Sequence, residues 1–98
     1  MSDKQKNDAS TDGQAQLPRL DFSTFILSIV GSAYVHLGDA PTPEGQVERN
    51  LDLARQDIDL LGILQEKTKG NLDGEEERLL EHALYDLRLR FVEVSKGS

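Results

Sequence analysis

His82 and Asp86 are the side chains whose types and spacing come nearest to chemistry. Placed four apart on a helix they share one face, where an imidazole and a carboxylate can pair or offer two adjacent ligands to a metal ion. One turn earlier on that side stands Arg78, which cannot ligate a metal and pairs more naturally with Glu75 or Glu81, three positions to either side. A third ligand is therefore missing locally, and surface pairing is the preferred reading. His36 sits near the end of another helix, where it can donate to a terminal carbonyl or complement the dipole when protonated. Asp57 and Asp59 fall on different sides of their helix and make no acid–base dyad. No serine stands in the strand-turn-helix setting of a nucleophile, and Gly70-Asn71-Leu72-Asp73-Gly74 follows a helix rather than the strand a phosphate-binding loop needs. The expectation is a chain with no catalytic residue, no cofactor and no metal site. A metal-dependent or enzymatic role around His82 and Asp86 is the alternative.

The elements that must position these groups are bounded by the chain itself. Its 98 residues allow one domain, and a small core must supply nearly all of the stability. Without a single Cys, neither disulfides nor thiolate-bound metal can brace that core, which raises the expectation of self-association. Eleven Lys and Arg stand against 18 Asp and Glu, a net charge of −7 that repels phosphate backbones. Arg88, Arg90 and Lys96 form at most a modest basic end suited to a helix C-terminus, so nucleic acid is not an expected partner. The opening Met1–Gln16 lacks the apolar core of a secretory signal, and the lack of cysteine agrees with a reducing, cytoplasmic location. Phe22–Leu37 is apolar but, at about 16 residues, shorter than the roughly 20 a membrane span requires, so no membrane association is expected.

Residues 1–19 read as a disordered polar tail whose end, around Leu17-Pro18 and Leu20, marks the point where the chain docks. The first helix is expected to be capped by Asp21 and stopped by Gly38. Phe22, Phe25, Ile26, Ile29, Val30, Ala33 and Leu37 project as one broad apolar face, while Thr24, Ser28, Gly31 and Ser32 form a small-residue strip suited to close backbone packing. Thr42-Pro43-Glu44 has the chemistry of a helix opening, although Gly45 leaves a start nearer Gln46 equally open. Val47, Leu51, Ala54, Ile58 and Leu61 form the second helix's core stripe, with Leu53, Leu60 and Leu64 on a second line. Gly62 weakens that helix unless close packing uses its missing side chain. The helix runs out at Lys67-Thr68-Lys69, Gly70 closes it, and Asp73 with Glu76 resembles a capping box for the third helix. There Leu80, Ala83, Leu84, Leu87, Phe91 and Val94 share one face, and Tyr85, Leu89 and Val92 emerge on the other.

The order Asp21-Phe22-Ser23-Thr24-Phe25-Ile26-Leu27-Ser28, then Ala33 through Gly38, Asn50-Leu51 to Leu72, and Glu75 through Arg88 resembles the small bacterial family catalogued as domain of unknown function 1844. The resemblance spans Leu20 to Val94 and rests on structural rather than catalytic motifs. It implies an intracellular bacterial helical protein without an assigned reaction, cofactor or substrate, and some members are encoded beside a translation initiation factor. No functional residue carries over from it.

The expected architecture is all-α: a three-helix domain over residues 20–94, in which helices two and three form an antiparallel hairpin packed with a shorter apolar helix one, completed by dimerisation, with residues 95–98 as a short flexible end. The expected function is a non-enzymatic interaction or scaffold module, homodimeric and binding another protein. Ser28, Gly31, Ser32, Leu53, Leu60, Leu64, Tyr85, Leu89 and Val92 are its candidate oligomer or partner interface. A translation-associated or RNA-binding accessory role is a further alternative.

Overall fold

Three helices make up the regular structure of residues 20–97, the part of the chain described by this computed structural model, and no strand occurs among the described residues. They are α1 (Phe22–Leu37), α2 (Leu51–Lys67) and α3 (Gly74–Gly97). The polar tail expected over residues 1–19 lies outside the described residues, as do Leu17-Pro18 and Ser98. Leu20, expected at the docking point, is exposed.

Helix α1 begins and ends where its sequence demands. Extended Asp21 accepts a hydrogen bond from the Thr24 amide at 2.8 Å, satisfying an otherwise orphaned donor of the first turn. At the other end Gly38 adopts φ 85°, a left-handed conformation that L side chains resist, while the Gly38 and Asp39 amides reach back to Val35 and Tyr34 carbonyls at 3.0 and 2.9 Å.

Helix α2 starts later than Thr42-Pro43-Glu44 suggests. The Thr42 hydroxyl accepts from the Gln46 amide at 3.3 Å, its carbonyl from the Gly45 amide at 2.8 Å, and its own amide donates to the Gln46 carbonyl at 2.7 Å. Gly45, at φ 85°, closes this turn. Thr42 is thus engaged in a local turn instead of a helix cap. The helix opens at Leu51 behind Asn50, whose side chain accepts from the Leu53 amide at 3.1 Å. Val47 accordingly drops out of the core stripe and is exposed.

The capping box of α3 forms in full: the Asp73 carboxylate accepts from the Glu76 amide at 2.8 Å, and the Glu76 carboxylate accepts from the Asp73 amide at 3.0 Å. The helix then continues through Gly97, past the boundary expected at Val94.

Each helix packs against the other two. Gln65 and Glu66 near the end of α2 share a cavity with Glu77 and Leu80 near the start of α3, Gly62 lies beside Arg88, and the Arg55 guanidinium stands 5.6 Å from the centre of the Phe91 ring. Rising numbers on α2 meet falling numbers on α3, so the two are antiparallel. The core comprises Ile26, Ile29, Ala33 and Leu37 from α1, Ala54, Ile58 and Leu61 from α2, and Leu80, Leu84, Leu87 and Val94 from α3. Phe22, Val30, Leu51 and Phe91 pack half-buried around it. Phe25 departs from its expected place in the core: it is 41% exposed, because at about 100° per residue it falls on the edge of the α1 face rather than beneath it.

Candidate functional site

Asp57 is the polar centre of the α1–α2 contact. Its Oδ2 accepts from His36 Nδ1 at 2.7 Å and from the Ser32 hydroxyl at 3.2 Å, two donors one turn apart on α1. A serine–histidine–aspartate relay needs the imidazole between hydroxyl and carboxylate; here the carboxylate stands between the other two. The arrangement activates no nucleophile and ties two helices together. His36 therefore serves a structural role through Asp57, not through a terminal carbonyl as its position alone suggests. The sequence offered one signal for this: Asp57 borders the buried stripe of Ala54, Ile58 and Leu61, where a carboxylate needs a partner.

A second polar cluster joins the end of α1 to α3. Arg90 donates from Nε to Asp39 Oδ2 at 2.7 Å, from Nη2 to Asp39 Oδ1 at 2.9 Å, and from Nη1 to Glu93 at 3.3 Å. The hydrogen bonds from Arg90 hold the Asp39 carboxyl below its ordinary range, against a smaller opposing effect of burial. Asp39 and Glu93 in turn push the Arg90 guanidinium further up. Burial raises the neighbouring Tyr34 hydroxyl, and the Asp86 and Asp39 carboxylates add to that rise. Arg90, expected to contribute to a basic end with Arg88 and Lys96, is instead committed within the chain.

His82 and Asp86 are both exposed, and Asp86 acts electrostatically on Tyr34 of α1. Among the described residues no three His, Cys, Asp or Glu side chains are positioned to hold a metal ion, and no helix is long and apolar enough to cross a membrane.

The expected interface residues separate into distinct surfaces. Tyr85, Leu89 and Val92 stand open on the outer side of α3, at 69%, 50% and 48% exposure. With Gln65 of α2 and Glu81, Leu84 and Arg88 of α3 they line a groove of about 510 Å³. Leu53 and Leu60 are exposed on α2, beyond Asp57 and away from the side marked by Gly62 and Arg88. Leu64 is drawn half-buried against the core. The small-residue strip of α1 is also divided. Ser28 bonds back to the Thr24 carbonyl at 3.1 Å, Ser32 is held by Asp57, and a Cβ at Gly31 would meet nothing within 4 Å. Among the described residues no other helix packs on Gly31. Gly62 does meet a neighbour, since the Arg88 guanidinium lies 3.4 Å from where its Cβ would stand. Leu27 and Phe25 are also exposed on α1, on opposite edges of its buried face, and neither was included in the expected interface.

An all-helical domain with apolar outer faces and interhelical polar ties is the class that fold and surfaces define. A family model described as a domain of unknown function, DUF1844, matches residues 19–93, and the chain belongs to that family. No curated protein and no solved structure matches it.

Proposed function

We propose that this chain is a non-enzymatic helical interaction module that forms a homodimer and offers a further apolar face to a second protein. The observation that carries this reading is the set of large apolar side chains left open on all three helices: Phe25 and Leu27 on α1, Leu53, Leu60 and Ile63 on α2, Tyr85, Leu89 and Val92 on α3. Isolated exposed hydrophobics are ordinary, but recurrence at helical spacing on one element is the pattern of a surface awaiting a neighbour. The described polar clusters point the same way, since Ser32, His36 and Asp57, and Asp39, Arg90 and Glu93, are engaged in holding helices together. A cytoplasmic setting accords with a chain that uses no cysteine.

Light scattering after size exclusion, over a wide concentration range and with residues 1–19 present or removed, tests the assembly. A dimer in both forms supports association through the helices. A monomer that persists to the highest concentration removes the homodimer from this reading.

A further inference from the structure

We propose that the homodimer closes through the outer side of α1, two copies of this helix crossing antiparallel about a twofold axis so that Leu27 of one protomer seats over the partner's Gly31. This inference rests on the homodimer reading and gives it a surface and a register. Thr24, Leu27, Gly31 and Val35 are three or four apart and so form one row along α1, with Ser28 beside it. The row points away from the buried Ile26, Ile29, Ala33 and Leu37 of the same helix. Leu27 is 54% exposed, and a Cβ at Gly31 would meet nothing within 4 Å. A glycine inside a helix costs backbone entropy, and no contact among the described residues makes use of this one.

The row is complementary to itself when reversed. An isologous pair brings the same patch of each copy together, so a twofold axis between Leu27 and Gly31 sets each Leu27 over the partner's Gly31 and each Thr24 beside the partner's Val35. Large then meets small at both crossings. A parallel pair would instead press Leu27 against its own copy and leave a gap between the two glycines.

Charge favours a second copy as the occupant. A twofold axis brings any charge near it against its own copy, and two chains of net charge −7 already repel one another. An uncharged surface adds nothing to that repulsion, and Phe22–Leu37 contains no Asp, Glu, Lys or Arg. The other open faces differ: Arg88 lines the α3 groove with Tyr85, Leu89 and Val92, and Asp59 borders Leu60 and Ile63 on α2. Around the α1 row the carboxylates are engaged or distant from the axis. His36 holds Asp57 on one side, Arg90 holds Asp39 at the C-terminal end, and Asp21 caps the first turn. Asp86 of α3 acts on Tyr34, more than a turn from the axis, so its twofold copy lies at the other end of the contact.

The test uses the full chain and the dimer dissociation constant measured by sedimentation. Gly31→Leu fills the space that the partner's Leu27 takes, at two symmetric crossings, and is expected to weaken the dimer about a hundredfold. Adding Leu27→Ala to Gly31→Leu exchanges knob and hole, and is expected to bring the affinity back to within about tenfold of the native value. Both positions are open in the single chain, so native helical circular dichroism is expected to persist in each variant. Leu89→Glu, on the α3 face, leaves the dimer as it was. Added salt screens the general repulsion and tightens an uncharged contact, where it would loosen a charge-paired one. A dimer indifferent to Gly31→Leu, a double variant as weak as the single one, a dimer broken by Leu89→Glu or one that loosens in salt would each overturn the α1 contact while the homodimer stands. A native chain that never dimerises removes both.

Discussion

Arg90 grips Asp39 at two points, through Nε at 2.7 Å and Nη2 at 2.9 Å, across 51 residues of sequence. The contact fixes the turn behind α1 against the last third of α3, and a planar guanidinium suits it where a lysine would not. Because the folded Asp39 carboxyl titrates below its ordinary value of 3.8, the stability it contributes is complete above that value and is lost as the pH falls through the lower folded value. Asp39→Asn is expected to melt slightly below the native chain at neutral pH and together with it in strong acid. The pair is partly exposed, so the difference is small and shrinks with added salt. Melting curves that keep the same separation in strong acid would contradict the assignment.

Asp57 holds two donors, so its loss leaves both without an acceptor. Asp57→Ala is expected to destabilise the chain by about 1–3 kcal/mol, and His36→Ala in the same background to cost much less than it does in the native chain. Denaturant titration of both single variants and the double variant measures this coupling. Strictly additive losses would mean that His36 and Asp57 act independently despite their 2.7 Å separation.

Metal binding at His82 and Asp86 remains chemically distinct from the structural ties. Zinc titration followed by thermal melting is expected to give the same response for the native chain and His82→Ala, since exposed histidines bind divalent metal weakly unless further ligands converge. A metal-induced rise in melting temperature that vanishes in His82→Ala would support the metal-dependent reading.

Features that depend on nearby residues were legible in the sequence. The Asp21 cap, the Gly38 stop, the Asp73–Glu76 box and the buried faces of α1 and α3 follow from side-chain chemistry within one or two turns. Thr42 shows where local reading fails: its hydroxyl caps a helix or closes a turn equally well, and Gly45 and Gln46 decide between them. The partners of Asp57 and Arg90 were illegible for a different reason. They lie in other parts of the chain, and a periodicity that marks the side an acid or a base occupies carries no information about what approaches it. The open apolar faces were visible as second stripes, yet only assembled helices separate the α3 face from that of α1 and α2.

The connection between α1 and α2 is closed at its neck. The Asn50 amide donates to the His36 carbonyl at 2.7 Å, and Arg49 Nε to the Leu37 carbonyl at 3.3 Å, so the chain leaves and re-enters the helical body at nearly the same place. Beyond Asp39, which Arg90 holds to α3, the connection turns on itself through Thr42, Gly45 and Gln46. Doubling such a segment costs only about 0.6 kcal/mol in closure entropy. The tip around Glu44-Gly45 is therefore a natural insertion point for an epitope or a fluorescent label, one that can report on assembly without disturbing the faces that assemble.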